Sequence, residues 1–416
     1  MLAGLDFVSA ALLTLCLSLA VPADALLIRK DASPVTLPFA RRFNVTGAAK
    51  LLEIDQAKAK AFKNRTRAAA TSVGAPFNAP ATNQAVDYVT TVTISGKEFT
   101  LLIDTGSSNT WVGARPIENA FLPPVLSLTG NLMSVTYGSG FFTGLEFMDT
   151  ITVGNGLTIA NQPMGFALVS EGFTDVDGII GIGPADLTCG TLVLGTQCIP
   201  TVTDSAFSQG LIPQHMISIS FEPTTSVDDA NGELTFGGID SSKFNGPLEF
   251  VPITSTSPSN EFVGIDQSIT FGSPDGQTVL PLTSGVTDTG TTLLLIASDA
   301  FATYQNLTGG VLDPTTGLLK ITPEQFTNLK SLFFHVGSNT FEFTPNAQIW
   351  PRALNSVIGG TDDAIYLVIN DIGSPSGEGL DFIDGMTFLE RFYYVFDIAN
   401  SRVGLATTPF TRATTN

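Results

Sequence analysis

Apolar and polar residues alternate along much of this chain with a period of two, the spacing of a half-buried strand rather than of a helix. Asp87-Tyr88-Val89-Thr90-Thr91-Val92-Thr93-Ile94 alternates and breaks at Ser95-Gly96, and Phe99 to Ile103 then runs into Asp104. Val135 to Gly144 predicts a hairpin with Gly138-Ser139-Gly140 at its tip. Asp177-Gly178-Ile179-Ile180-Gly181-Ile182-Gly183 predicts a strand whose glycines let another backbone come close, and Phe392 to Asp397 an aromatic strand near the end. Helical spacing is confined to short stretches at Val202–Gly210, Ala297–Gln305 and Pro323–Leu332. With 40 Gly, 24 Pro and only 14% charged residues, the pattern predicts an all-β fold of many short strands and turns.

One stretch recurs. Leu101-Leu102-Ile103-Asp104-Thr105-Gly106-Ser107-Ser108-Asn109-Thr110-Trp111 is an apolar strand ending in a tight turn with a carboxylate at its mouth. Gly285-Val286-Thr287-Asp288-Thr289-Gly290-Thr291-Thr292 repeats the Asp-Thr-Gly order 184 positions later, again followed by hydroxyl residues. The Asp177 strand has a partial echo in Gly379-Leu380-Asp381-Phe382-Ile383-Asp384-Gly385-Met386. The same succession occurring twice predicts an internal duplication, with its junction near residues 248–258.

A lone Asp-Thr-Gly is a common turn, but two copies on matching strands are far more specific. If the turns meet, Asp104 and Asp288 share one site, and two carboxylates that close cannot both ionise. The ionised member can take a proton from a water while the protonated member gives one to a carbonyl oxygen. Gly106 and Gly290 would leave room for a substrate backbone. Thr105 and Thr289 could bond across to the opposite turn, and Ser107 and Thr291 could each donate to the nearer Asp.

The ends of the chain change the picture. Val8 to Val21 is an apolar run of 14 residues followed by Pro22-Ala23-Asp24-Ala25, which reads as a secretory signal over residues 1–25; its other reading is a buried helix. Residues 26–67 hold ten Lys/Arg against three acids and are helix-favouring from Lys50 to Arg67, which predicts a basic pro-segment over 26–72, cut near 67–76; its other reading is a flexible basic linker. The N-terminal lobe is then 73–252 and the C-terminal lobe 253–416. Residues 68–416 carry nine Lys/Arg against 33 Asp/Glu, a balance of −24. That charge repels nucleic acid and anionic membranes, and its self-repulsion predicts stability falling toward neutral and alkaline pH. Cys189 and Cys198, the only cysteines beyond the apolar N-terminus, would form a disulfide in an oxidising compartment, or else be two free thiols. Asn306-Leu307-Thr308 makes Asn306 the one glycosylation candidate of the body.

Other chemistries find little support. His215 and His335 stand 120 positions apart, each alone, so no metal site is expected. Gly373 to Gly379 is glycine-rich but contains no Lys, which argues against a phosphate-cradling loop. A glycosidase also pairs carboxylates, but has no need of twin Asp-Thr-Gly turns, and two Trp are few for a sugar cleft. A non-catalytic binding protein on the same fold would be expected to have lost part of one turn, and both are intact.

The two Asp-Thr-Gly stretches, Tyr137-Gly138-Ser139-Gly140 and the Asp177–Gly183 strand together resemble the pepsin-like aspartic proteases over about residues 80–412. Ala81 to Gln84, Phe221 to Thr225 and Phe388 to Tyr393 are similar to the polyporopepsin type of basidiomycetes. The resemblance implies a bilobal all-β fold with pseudo-twofold related lobes and a central cleft. It implies Asp104 and Asp288 as the dyad, and Tyr137, Gly138 and Ser139 on a flap, with Trp111 behind as partner of the Tyr137 hydroxyl. It further implies a secreted endopeptidase acting at acid pH, a monomer without cofactor, taking protein or peptide substrates in extended form. The basic pro-segment would be its intramolecular inhibitor. Two departures stand out: the body can form only one disulfide, and its second lobe reads Phe382-Ile383-Asp384-Gly385-Met386 rather than the common Ile-Leu-Gly-Asp order.

Overall fold

The computed structural model describes residues 33–43, 51–68, 86–115, 127–138, 140–154, 156–173, 176–226 and 228–416. The expected signal sequence, Ser139 and most of the expected cleavage region lie outside the described residues. Strands dominate, in sheets of thirteen, seven and three strands, with a few short helices.

The duplication expected from the sequence has a matching backbone. In the first half, Lys97–Asp104 runs parallel to Gly178–Gly181, with Ile103 opposite Ile180 and Asp104 opposite Gly181. Trp111–Val112 packs antiparallel on the other side of Gly178–Gly181, with Trp111 opposite Ile179. In the second half, Gln277–Thr287 runs parallel to Phe382–Asp384, with Val286 opposite Ile383 and Thr287 opposite Asp384. Leu294–Ile296 lies antiparallel to Phe382–Asp384, with Leu295 opposite Ile383. Each half therefore passes a strand into an Asp-Thr-Gly turn and brings the chain back along a short apolar strand. The glycines of the Gly178–Gly181 strand are steric necessities: a Cβ on Gly178 would overlap the Trp111 carbonyl.

The thirteen-stranded sheet joins the halves. Phe392–Asp397 and Arg402–Thr407 from the end of the chain lie beside Met216–Ser220, and the order continues through Asp228–Phe236 and Val35–Phe43 to Val86–Ile94. Val35–Phe43, from the basic N-terminal region, is thus an interior strand, and its alternation turns Leu37 and Phe39 into the core. Phe39 meets Tyr88 and Phe221 edge-on at 5.1 and 5.2 Å. Residues 248–258, read as the junction, begin in the strand Asn245–Pro252 at the edge of this sheet.

Helices form where the sequence caps them. Thr201 and Asp204 make a capping box on Val202–Ser208, as do Thr322 and Gln325 on Pro323–Asn328. Cys189 and Cys198 are joined in a disulfide that closes a small surface loop. Asn306 is exposed on the helix Ser298–Thr308. Among the described residues no helix is long and apolar enough to cross a membrane.

Candidate active site

The twin turns meet at the centre of the molecule. Asp104 closes its strand 2% exposed, and Asp288 follows its strand fully buried. The turns are stitched by reciprocal bonds: the Thr105 N–H donates to Thr289 Oγ1 and the Thr289 N–H to Thr105 Oγ1, each at 3.0 Å. The Thr289 hydroxyl continues to the Ile103 carbonyl at 3.1 Å. Each hydroxyl both accepts and donates, so the two loops hold each other without a charge between them.

The carboxylates are dressed alike. Ser107 Oγ donates to Asp104 Oδ2 at 2.6 Å and the Gly106 N–H to Oδ1 at 3.0 Å. Thr291 Oγ1 donates to Asp288 Oδ2 at 2.5 Å and the Gly290 N–H to Oδ1 at 3.1 Å. A Cβ on Gly106 would stand 2.7 Å from Asp288 Oδ1, and one on Gly290 would stand 2.5 Å from Asp104 Oδ1. Each glycine makes room for the opposite carboxylate, and for the docked helix as well: such a Cβ would meet Phe62 at Gly106 and Lys58 Nζ at Gly290.

Between the carboxylates lies a residue that sequence reading did not single out. Lys58 Nζ is 2.9 Å from Asp104 Oδ1 and 2.9 Å from Asp288 Oδ2, so those oxygens are at most twice that distance apart. Lys58 belongs to the helix Leu51–Ala68 of the basic segment, which lies in the cleft against both halves. Asp55, one turn earlier, accepts from the Thr292 and Leu293 amides at 3.2 and 2.7 Å. Gln56 Nε2 donates to the Asp371 carbonyl at 2.8 Å, and Lys63 pairs with Glu378 at 3.0 Å and bonds to the Ser374 hydroxyl. Phe62 packs on Phe262 with ring centroids 4.4 Å apart. Five basic residues lie in this helix, and nothing local distinguishes Lys58 from the others; only docking does.

Electrostatics divides the pair. Burial works to raise Asp104, but the Lys58 ammonium, the Ser107 hydroxyl and the Gly106 amide outweigh it and hold the carboxyl below the ordinary range. Burial raises Asp288 above its ordinary value, the charge on Asp104 adds to that, and Lys58 and Thr291 offset it only in part. Burial also opposes the charge on Lys58, yet the two carboxylates keep its pKa above the usual lysine value. Asp55 is pushed up to about 7 by burial, against its two amide bonds.

The hairpin of Leu128–Thr136 and Phe141–Val153 is closed at its tip by the Tyr137 N–H donating to the Gly140 carbonyl at 2.7 Å. Trp111 Nε1–H donates to the Tyr137 hydroxyl at 2.8 Å. The Trp111 ring stacks on Phe142 at 4.4 Å, and Phe173 stands edge-on to both Trp111 and Tyr137. Gly138 lies against the Lys58 backbone, where a Cβ would collide. His215 is committed to Asp204, with its Nε2 2.7 Å from Oδ1 and its ring stacked on Phe207.

A fold of two matched sheet-rich halves, each giving one Asp-Thr-Gly carboxylate to a shared buried cleft, defines a pepsin-like aspartic protease. A family model of the eukaryotic aspartyl proteases matches residues 87–408, and the chain belongs to that family. Polyporopepsin of Irpex lacteus is 56% identical over 340 residues, covering 81% of this chain and 98% of that protein. Pepsin A of Sus scrofa is 30% identical over 340 residues, 77% of this chain and 81% of that protein. The crystal structure of an aspartic proteinase from Irpex lacteus matches with a TM-score of 0.78 at 48% identity, covering 92% of this chain and 100% of that one. The chain is an aspartic endopeptidase of bilobal fold.

Proposed function

We propose that Asp104 and Asp288 are the catalytic dyad, and that the described chain is the secreted, inactive precursor of an endopeptidase working at acid pH. One observation carries this reading: the carboxylates of both turns converge on a single ammonium. With Lys58 withdrawn, two carboxyls in that geometry hold one proton and a water between them. The ionised carboxyl of the pair takes a proton from the water, and the protonated one gives its proton to the scissile carbonyl oxygen. Water oxygen adds to the carbonyl carbon, giving a neutral diol. A proton then passes to the amide nitrogen, the C–N bond breaks, and no acyl-enzyme forms. Trp111 and the flap residues Tyr137, Gly138 and Ser139 cover a substrate bound in extended form, and a monomer suffices for all of it.

Autoinhibition follows from linkage. Lys58 lowers both carboxyls, so the docked helix binds fewer protons than the open site, and docking weakens as pH falls. Asp55 works the other way: its raised pKa favours a proton in the docked state, so it does not drive release. The pro-segment over 26–72 is the intramolecular inhibitor in this reading, and residues 1–25 are its secretion signal.

Digestion of a denatured protein at pH ~3–5, with and without pepstatin, tests the activity. Asp104→Asn and Asp288→Asn are each expected to lower turnover by at least ~10³-fold while leaving the fold intact; near-normal activity in either variant refutes the assignment.

A further inference from the structure

Beneath the second half-site is a carboxyl that this reaction does not use. Asp384 is fully buried on the strand beside Thr287, and its backbone carbonyl accepts the Asp288 N–H at 3.1 Å. Its side chain has one partner: Gln267 Nε2 donates to Oδ1 at 3.0 Å. Gln267, also fully buried, lies on Gly264–Phe271, the neighbour of Gln277–Thr287 on its other side. The pair therefore spans the strand that delivers Asp288.

Two acceptor atoms of this one pair, Asp384 Oδ2 and Gln267 Oε1, are buried with no partner. Two orphan acceptors on joined groups are what a single proton would resolve, because a carboxylic acid and a primary amide are complementary through two hydrogen bonds. The first half has no counterpart. By register, Asp384 corresponds to Ile180 and Gln267 to Val92, both in the apolar core. A polar pair thus stands where the other half of the duplicated motif has two core aliphatic residues.

We propose that Asp384 is a positioning residue: as a neutral acid paired through both oxygens with the Gln267 amide, it clamps the strand of Asp288 and makes the fold around the dyad lose stability as pH rises. This rests on the dyad reading for its effect on turnover. Burial raises the Asp384 carboxyl to about 8, opposed only by the Gln267 bond. No charged group offsets the burial. Asp266, next to Gln267 on its strand, turns its carboxyl to Ser284 at 2.6 Å. Tyr394 meets Thr287 at 2.9 Å, and from the Leu294–Ile296 strand the facing residue is apolar Leu294. The native state keeps a proton that the unfolded chain loses from 3.8 upward. Stability therefore falls as pH rises between those two values and levels off above the higher one.

The test compares Asp384→Asn and Asp384→Leu with the parent enzyme after pro-segment removal. Thermal midpoints are read from pH 4 to 9, and kcat and KM over the same range. Asn keeps both hydrogen bonds with Gln267 but cannot ionise. The expected result is a shallower fall of midpoint with pH, with kcat in the acid range near that of the parent. Leu cannot pair; its kcat is expected to drop about ten-fold at every pH with KM little changed, and Asn to rescue it. Overlap of the Asn and parent curves overturns the proposal, as does an Asn variant as impaired as the Leu one. The Asn comparison stands even if the Leu variant does not fold. Midpoints need no substrate, so the clamp can fail while the dyad reading survives, and the reverse.

Discussion

The two half-sites share a backbone and differ in what supports it. Both end a strand in Asp-Thr-Gly, both dress the carboxylate with one hydroxyl and one amide, and each lends its threonine to the other at 3.0 Å. Behind them the first half has Trp111 at the place where the second has Leu295, and Trp111 donates to the Tyr137 hydroxyl. Under them the first half has Ile180 and the second Asp384. Symmetry thus governs the groups that touch the reacting centre, where both carboxylates must face one point. It lapses in the layer beneath, where each lobe needs only a filled interior. One half has used that freedom for an indole bonded to Tyr137 and the other for a buried acid.

The largest way to disturb this pairing is through Lys58, which binds both halves at once. Lys58→Met in the full-length chain leaves two buried carboxylates without their cation, and breaking such an arrangement costs about 3–5 kcal/mol. The full-length variant is expected to process itself, and to cleave added substrate, at a pH where the parent precursor is silent. Mass spectrometry of both proteins held at pH ~6 checks it, and identical persistence of both precursors would remove Lys58 from the lock.

A smaller effect sharpens the symmetry itself. Thr105→Val and Thr289→Val each orphan one buried amide across the interface, a loss of about 1–3 kcal/mol. The accepting distances are equal, but Thr289 also donates to the Ile103 carbonyl at 3.1 Å where Thr105 reaches the Thr287 carbonyl only at 3.5 Å, so Thr289→Val should lose more in denaturant titrations of the same protein. Equal losses would show that only the reciprocal amide bonds count.

The smallest effect probes the asymmetric layer. Trp111→Phe removes the donor to the Tyr137 hydroxyl, a loss of about 1 kcal/mol. It should lower kcat/KM several-fold while leaving the dyad's acid limb in place; a shifted acid limb would mean that Trp111 acts on the carboxylates and not on the flap.

The pH dependence of stability joins both levels of description. The balance of −24 on residues 68–416 predicts a fall toward alkaline pH through self-repulsion. Asp384 and Asp288 add local causes with the same sign, because both carboxyls are raised in the native state. Salt separates the two, since it screens surface repulsion and leaves a fully buried acid nearly untouched.

Much of the site was legible in the chain because turn chemistry is local. An apolar strand, an Asp, a small hydroxyl residue and a glycine specify a tight turn wherever they occur, and finding the phrase twice was enough to pair Asp104 with Asp288. The Gly-Ser-Gly tip and the Asp177–Gly183 strand were legible for the same reason. Lys58 was not, because its meaning depends on where a helix of five basic residues docks relative to turns 46 and 230 positions away. That Gly106 and Gly290 also clear a carboxylate was not legible, because that carboxylate comes from the other half of the chain.

Sequence alone determined the strands, the duplicated turns and the residues able to carry acid–base chemistry, since these follow from side-chain period and backbone conformation over a few residues. Tertiary structure alone decided which cation fills the dyad, which carboxyl is held low and which high, and that Asp384 lies dry against Gln267. Those outcomes depend on distance and on exclusion of water, and both are set by packing between segments that never meet along the chain.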